Sequence, residues 1–512
     1  MKRINRRNFI KSGTLAGVAV AAPAAGHAAW FRPTSRSAIK AVVVGSGFGG
    51  SVTSLRLAEA GIPTMLIERG KHWKYTGENS FPTLNGAIKD LDASLLWRDP
   101  NSLLKGSLGM LEQYLDASMP IGVGACLGGG SMVYGGVLLQ PRREIFEQAL
   151  PFLSYDDMDK KYYPRVLSRV SGGPIPDDIL NSPNYKSMRI FIENATAAGL
   201  DVVRSEVGFD WNIIREEIQG KRTPYASVGE WVLSCNSGAK KTLDRNYLVE
   251  AGNTGNLDVR TLHNVKHVRK SRWNKSYEVH CEVINDSGAV VANHIIECEY
   301  LFMAAGSMHT TRLLLKAKAL GDIRGLSDGI GEAWGGNGDE LMGRKGIYQS
   351  TAPIQGGPPS IAAFDLENPI KPTGFMHSPS HVNKEFTQLQ MGMCIPDKTS
   401  KATYNRLTDN ININWSRKAN ANSHQALLHT MEKMTSVSGG EVVDVSALGT
   451  WHPLGGVAMG VACSELGEVY GAPNLFVVDG ATIPGSTGAA NPSLTIGANA
   501  ERMMEKLIPQ LR

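Results

Sequence analysis

Residues 38–68 read AIKAVVVGSGFGGSVTSLRLAEAGIPTMLIE, and this stretch decides the fold. Its first seven residues are mostly β-branched and apolar, the pattern of a buried parallel strand. Gly45-Ser46-Gly47-Phe48-Gly49-Gly50 follows at once. Residues 51–60 then read as an amphipathic helix closed by Gly61. Residues 64–67 form a second strand that ends at Glu68. Strand, GxGxxG, helix, strand and acid in this order make a dinucleotide-binding unit. Gly45 allows the tight turn, Gly47 lets the backbone approach a pyrophosphate, and Gly50 lets the helix lie close on the strand. The pyrophosphate meets the positive end of the helix. Glu68 stands 23 residues after Gly45, the spacing of an acid that accepts hydrogen bonds from the adenosine ribose.

The fingerprint alone does not separate FAD from NAD, but the C-terminal stretch does. Residues 475–480, LFVVDG, form a strand that ends in Asp479 at a tight turn with Gly480. Ile483-Pro484-Gly485-Ser486 follows, and Asn491-Pro492 opens a last helix running to about residue 509. A C-terminal strand and acid that return to the first Rossmann unit are a flavoprotein arrangement. Asp479 then bonds the ribityl or pyrophosphate side of FAD; its plainer role is a turn aspartate.

The rest of the chain narrows the class. With 512 residues there is room for two or three lobes. The formal charge of +5 lies wholly in Lys2, Arg3, Arg6, Arg7 and Lys11. Without residues 1–28 the chain has 48 basic and 48 acidic residues, so no nucleic-acid partner follows from its pI. Asn5-Arg6-Arg7-Asn8-Phe9-Ile10-Lys11 matches a twin-arginine export signal. The apolar run 14–25 and a small-residue cleavage site at 26–28 come next. A run of about 12 residues falls short of the ~20 that span a bilayer. The expectation is passage through the twin-arginine translocase to the periplasm or medium, with no transmembrane segment in the mature chain. Six cysteines (126, 235, 281, 298, 394, 463) show neither CxxC pairs nor close histidines, so neither a metal site nor a disulfide framework follows.

Several further stretches complete the picture: GVGACLGGGSMVYGGV (122–137), KKTLDRNYL (240–248), TLHNVKHV (261–268), YLFMAAGSMHTTRLL (300–314), GEAWGGNGD (331–339), WHPLGGVAMG (451–460) and NLFVVDGATIPGSTGAANPSLTIGANAER (474–502). With the Rossmann stretch, they make the chain resemble the glucose–methanol–choline (GMC) oxidoreductase family, and within it the cholesterol oxidase branch, from about residue 39 to the end. The resemblance implies an α/β fold, α+β overall: a Rossmann-type FAD-binding domain and a substrate lobe with an antiparallel sheet. It implies FAD as cofactor and hydride transfer from an alcohol to flavin N5. Gly128, Gly129, Gly130 and Ser131 resemble the second glycine-rich loop that lies against the flavin. Val265 resembles the backbone contact to adenine, and Ala305-Gly306 closes another cofactor-side strand. Apart from nearby Cys126, no histidine or cysteine stands where some relatives bond the flavin, so the FAD is expected to be non-covalent.

Oxidising an alcohol requires a hydride acceptor and a base for the hydroxyl proton. A histidine suits the second task, and such a base is typically worth about 10²–10⁴ in rate. His452, in Trp451-His452-Pro453-Leu454-Gly455-Gly456, matches the family histidine that faces the flavin. Asn491 before Pro492 is a good helix start in its own right. By resemblance it also reaches the substrate oxygen or the flavin.

Two departures from the branch stand out. Its isomerising glutamate aligns with Met376 or His377, and no carboxylate lies between Glu367 and Glu385. Isomerisation is therefore expected to be weak or absent, with His377 a candidate substitute base. Tyr134 stands where the branch usually has Asn.

The FAD domain is expected to be discontinuous, over 38–150, 228–320 and 455–512. The substrate lobe takes 151–227 and 321–454. Residues 386–393 and 410–415 read as strands of its sheet and 423–434 as a helix; Phe375, Met391 and Met393 are candidate pocket residues. The final acceptor is oxygen, giving peroxide, or a quinone or cytochrome. A non-redox hydroxynitrile-type lyase and a non-catalytic flavin scaffold are the readings from other classes.

Overall fold

The computed structural model describes residues 32–83, 95–101, 106–114, 119–271, 276–445 and 449–511. The export signal read in residues 5–28 lies outside them.

The strand Thr34–Val44 runs parallel to Thr64–Ile67 on one side and to Val290–Met303 on the other. Its last four residues are buried, as an apolar run flanked on both edges and covered on both faces must be. The helix Phe48–Glu59 follows, and Gly61 ends it in the left-handed conformation at φ 73°. This helix is less amphipathic than its sequence predicts. It packs on the helices Tyr247–Asn253 and Pro492–Leu507, so even Ser51, Thr53 and Ser54 are enclosed.

Among the described residues the sheet has seven strands. Its order is Leu257–Arg260, Thr64–Ile67, Thr34–Val44, Val290–Met303, Tyr277–Ile284 and His263–Lys270, and Leu475–Val477 pairs in parallel with residues 301–303 of the long strand. The chain's last strand thus joins its first unit. The last helix, Pro492–Leu507, is pinned there by a buried ion pair. Glu501 accepts from Arg56 Nε and Nη2 at 2.7 Å each, and from Tyr247 Oη at 2.9 Å. Because one member is fully enclosed, this pair specifies where the helix lies more than a surface pair could.

A second sheet has six strands among the described residues, in the order Glu441–Asp444, Glu340–Lys345, Thr387–Cys394, Thr373–His377, Ile361–Asp365 and Asp201–Arg204, every neighbour antiparallel. The helices Lys186–Ala197 and Ala421–Ser438 cover one face. Phe191, Phe375, Leu427 and Met431 form part of the core between them. The molecule is therefore α/β with a parallel-centred Rossmann-type layer and an antiparallel sheet.

Two expectations change. Asn410–Ile413 alternates as a strand should, but it pairs with Ala402–Asn405 in a separate hairpin against the helix Gly306–Leu320. Asp409 in the hairpin turn is held by Lys316 and Tyr404, which ties the hairpin to that helix. The segment Tyr155–Val170, expected in the substrate lobe, buries Met158, Tyr163 and Val166 in the core of the first layer.

Candidate active site

A cavity of about 740 Å³ runs between the two sheets. One end is built from backbone. Gly45, Gly47, Phe48, Gly49, Gly129, Gly130, Ala305 and Gly306 line it, with Val265 on its strand and Asp479, Gly480 and Pro492 from the C-terminal return. A Cβ on Gly49 would lie 2.0 Å from the Val478 carbonyl, whereas one on Gly47 would meet nothing within 4 Å. Gly49 is thus required by the protein, while Gly47 leaves backbone bare toward the cavity. Gly50, Gly128 and Ser131 stand behind this surface. A Cβ on Gly50 would lie 1.9 Å from the Gly45 carbonyl, so it serves helix–strand packing. Ser131 Oγ donates to the Gly128 carbonyl at 2.7 Å and accepts from Leu243 N–H at 3.1 Å, fixing the loop from below.

Two buried carboxylates serve this end. Glu68 accepts from Ser46 Oγ at 2.6 Å and from Gly70 N–H at 2.9 Å, and burial pushes its pKa up. Asp479 accepts from Thr310 Oγ1 (2.6 Å), Gly306 N–H (2.8 Å) and Ala481 N–H (2.8 Å), and burial raises it to about 6. Asp479 is a turn aspartate that also ties the C-terminal return to the helix starting at Gly306.

Residues missed from sequence add guanidinium and imidazole groups to this end. Arg69 and Arg312 line it, as do His263, Asn264 and His309. Arg69 stacks 4.2 Å over Trp97 and pairs with Glu112 at 2.8 Å. Burial works against the Glu112 carboxylate, yet Arg69 and His309 hold it below the usual range. Burial, then the Arg69 charge, pushes His309 down to about 4, so it is neutral at pH 7. The available signal was helical spacing: His309 and Arg312 stand three apart on the helix that starts beside Ala305-Gly306. A bare glycine backbone, a helix N-terminus and buried ribose-type acceptors beside guanidinium groups fit a dinucleotide with its pyrophosphate dianion.

The other end is apolar. Met376, Leu389 and Met391 from the antiparallel sheet line it with Leu341, Trp231 and Pro359. Strand alternation sets which side chains take part. Met376 pairs with Met391 on the cavity face, and His377 pairs with Gln390 on the opposite face. His377 is fully buried there, stacked on Phe191 at 5.1 Å with Nε2 3.0 Å from Ser187 Oγ. Burial pushes it down to about 3. The reading of His377 as a substitute base is thereby withdrawn, because its ring faces away from the cavity. Phe375 lies on that far face too, and Met393 is packed in a core with Ala489 and Ala490; of the three candidate pocket residues only Met391 borders the cavity. Tyr134 borders it with its ring, edge-on to Phe48 at 5.7 Å.

His452 and Asn491 meet where the two ends join. Asn491 Nδ2 lies 3.4 Å from His452 Nε2. Asn491 occupies the N-cap position of the last helix, yet its side chain makes no capping bond. It is 8% exposed, and its Oδ1 is buried without a protein partner among the described residues. The side chain is thus spent on the cavity and the helix starts without it, its first position filled by Pro492, which has no N–H to satisfy. On its far side, His452 Nδ1 lies 3.0 and 2.9 Å from the two oxygens of Asp339. Such an arrangement offers a nitrogen base and an amide donor to one small polar group at the edge of an apolar chamber. Among the described residues no cluster of histidine, cysteine or acid is placed to hold a metal ion, and no helix is long and apolar enough to cross a membrane.

Comparison with known proteins bears on the same residues. Family models described as GMC oxidoreductase match residues 39–323 and 404–500. A cholesterol oxidase of Mycobacterium tuberculosis (strain CDC 1551 / Oshkosh) is 26% identical over 540 residues, covering 90% of this chain and 89% of that one. A cholesterol oxidase of Acinetobacter baumannii is 25% identical over 329 residues, covering 59% and 54%. The crystal structure of pyridoxine 4-oxidase from Mesorbium loti superposes with a TM-score of 0.63 at 16% identity, over 91% of this chain and 99% of that one. A fungal aryl-alcohol oxidase does so with 0.63 at 13%, over 92% and 99%.

Proposed function

The chain belongs to the GMC oxidoreductase family and is an FAD-dependent oxidoreductase acting on alcohols, and from that premise we propose that it oxidises a bulky, sterol-like secondary alcohol to the ketone, with oxygen as final acceptor and peroxide as the other product. The observation that carries this reading is the His452–Asn491 pair, set between a glycine-lined end and the Met376–Met391 wall. FAD, when bound, supplies the hydride acceptor. His452 takes the hydroxyl proton at Nε2, and Asn491 Nδ2 donates to the alcohol oxygen and holds it in place. The apolar wall holds the hydrocarbon body and keeps water from the reacting carbon. Supporting the sterol-like class are this wall and the two cholesterol oxidases among the relatives.

The two carboxylates lining the cavity, Glu68 and Asp479, are both engaged at its polar end. With none beside Met376 among the described residues, a 3β-hydroxy-5-ene steroid is expected to leave as the unconjugated ketone. Non-covalent FAD is the reading that the resemblance supports, and the one nearby thiol, Cys126, is enclosed, with burial pushing it up. Export by the twin-arginine route is favoured by the sequence at residues 5–11 and by six buried, unpaired thiols, which suit a chain that folds in a reducing compartment. Cell fractionation of an Arg6→Lys, Arg7→Lys chain checks this: the variant stays in the cytoplasm.

The first test is anaerobic addition of a 3β-hydroxysteroid while following the visible flavin band. Bleaching, reversed by air with release of peroxide, is expected. Bleaching that air does not reverse would move the acceptor to a quinone or cytochrome. A band that stays unchanged with sterols but bleaches with small alcohols would overturn the substrate class, and turnover of a hydroxynitrile without bleaching would point to a lyase. His452→Ala is expected to stay yellow and to lose at least about tenfold in turnover.

A further inference from the structure

Asp339 takes no part in the chemistry described so far and does not border the cavity. Its carboxylate is fully enclosed, and among the described residues its side chain touches two groups. Thr450 Oγ1 lies 2.7 Å from Oδ2, and His452 Nδ1 lies 2.9 Å from Oδ2 and 3.0 Å from Oδ1. Thr450 is held in turn, since its oxygen accepts the His452 backbone N–H at 3.0 Å. The three side chains close a ring around the turn that carries His452.

The directions of these bonds can be worked out from donor and acceptor counts. Thr450 has one proton to give. The Gly336 carbonyl lies 3.2 Å away and Asp339 Oδ2 2.7 Å away, so the proton goes to the carboxylate. An ionised carboxylate only accepts, so the contact with His452 requires hydrogen on Nδ1. Nε2 then carries a lone pair, and it receives the Asn491 Nδ2–H across 3.4 Å. The hydrogen bond from Thr450 stabilises the charged carboxylate, which keeps Asp339 the acceptor and His452 Nδ1 the donor.

We propose that Asp339 is a positioning residue that, anchored by Thr450, holds His452 in the tautomer whose Nε2 lone pair faces the cavity. The inference rests on the reading of His452 as the proton acceptor, but its tautomer can be measured apart from that role. Asp339 touches neither the cavity nor anything in it. Its effect passes through the histidine ring, by orienting it and by placing negative charge beside Nδ1 as Nε2 gains a proton.

The experiment uses holoenzyme labelled with ¹⁵N at histidine, with the His452 signals assigned by their loss in His452→Gln. The wild type is expected to show a hydrogen-bonded proton on Nδ1 and a bare Nε2. Asp339→Asn keeps the shape but offers Nδ1 an amide donor, so the proton is expected on Nε2. In that variant kcat for the 3β-hydroxysteroid falls by about 10²-fold or more, while KM moves less than about threefold and the flavin stays bound. A purely structural Asp339 would leave the tautomer where it was and change stability instead. A wild-type Nε2 that carries the proton overturns the proposal, as does an Asp339→Asn enzyme with unchanged tautomer and unchanged kcat. If that variant does not fold, the wild-type spectrum still decides. Should His452→Ala turn over normally, the proposed role of His452 falls, while the tautomer assignment is judged on its own signals.

Discussion

The two ends of the cavity are built on opposite principles. At the polar end the chain presents backbone, and Gly45, Gly49 and Gly129 stand where a side chain would collide, while Gly47 faces open space. At the apolar end it presents side chains from one face of a sheet, any of which could change size without moving the strand that bears it. The first end therefore carries tight constraints that leave a mark in the sequence, and the second carries loose ones that do not. A binding surface made of main chain selects a class of cofactor; one made of methionine and leucine side chains sets only the size and greasiness of what enters.

The sharpest way to break this contrast is inside the glycine cluster itself. Gly49→Ala places a Cβ 2.0 Å from a backbone carbonyl, and no folded protein is expected on purification. Gly47→Ala meets open space and is expected to fold, with the apoprotein Tm within about 2 °C of wild type and FAD bound at least about tenfold more weakly by fluorescence titration. Equal behaviour of the two variants would end the distinction between glycines needed by the fold and glycines needed by the ligand.

A smaller effect is expected at Lys240, which links the loop at the flavin side to the neighbouring chain. Its ammonium donates to the carbonyls of Tyr134 (2.8 Å), Val232 (3.1 Å) and Met132 (3.4 Å), and burial pushes it down to about 7. Between that value and the ordinary lysine range the unfolded chain holds a proton that the folded chain has lost. Stability therefore rises with pH across this window. Thermal melts from pH 7 to 9 should show wild type gaining a few degrees relative to Lys240→Met, which lacks the titrating group; a flat difference would mean that the amine stays charged.

The smallest effect belongs to the apolar wall. Met391→Ala should leave FAD affinity and fold intact, with a stability change of roughly 1 kcal/mol. KM for a 3β-hydroxysteroid should rise by about tenfold. A loss of FAD in this variant would show that the two ends are not independent.

How much of this was legible from the sequence follows the same division. The Rossmann unit could be read because strand, glycines, helix and acid are consecutive. His452 and Asn491 were singled out by the resemblance to the family, and the fold brings them within 3.4 Å of each other. Asp339 could not, since it lies 113 residues from His452 and only the folded loops bring them together. The stretch 331–339 resembles the family, but the resemblance gives the acid no role. The choice between Met376 and His377 was equally closed to inspection. Alternation says that neighbours face opposite ways, but not which phase faces the cavity, and a shift of one residue exchanges them. For the hairpin at residues 402–413, local alternation was right and the choice of partner was not. The charged cluster at the polar end was missed because Arg69, Glu112 and His309 come from three separate parts of the chain.

The pairing of Leu475–Val477 with residues 301–303 has a consequence for how the molecule comes into being. Until the last forty or so residues have been made, the strand carrying Leu301, Phe302 and Met303 lacks its partner on one edge. Those three residues are fully enclosed in the finished protein. An emerging chain thus carries an open, greasy edge of the kind that recruits wrong partners, and the contacts that close it are far apart in the sequence. The same closing segment brings Asp479 and Asn491, so the cofactor site is finished only when the hazard is removed. Ribosome-bound or C-terminally clipped chains should therefore be both aggregation-prone and colourless, and flavin colour becomes a record that synthesis and closure have both been completed.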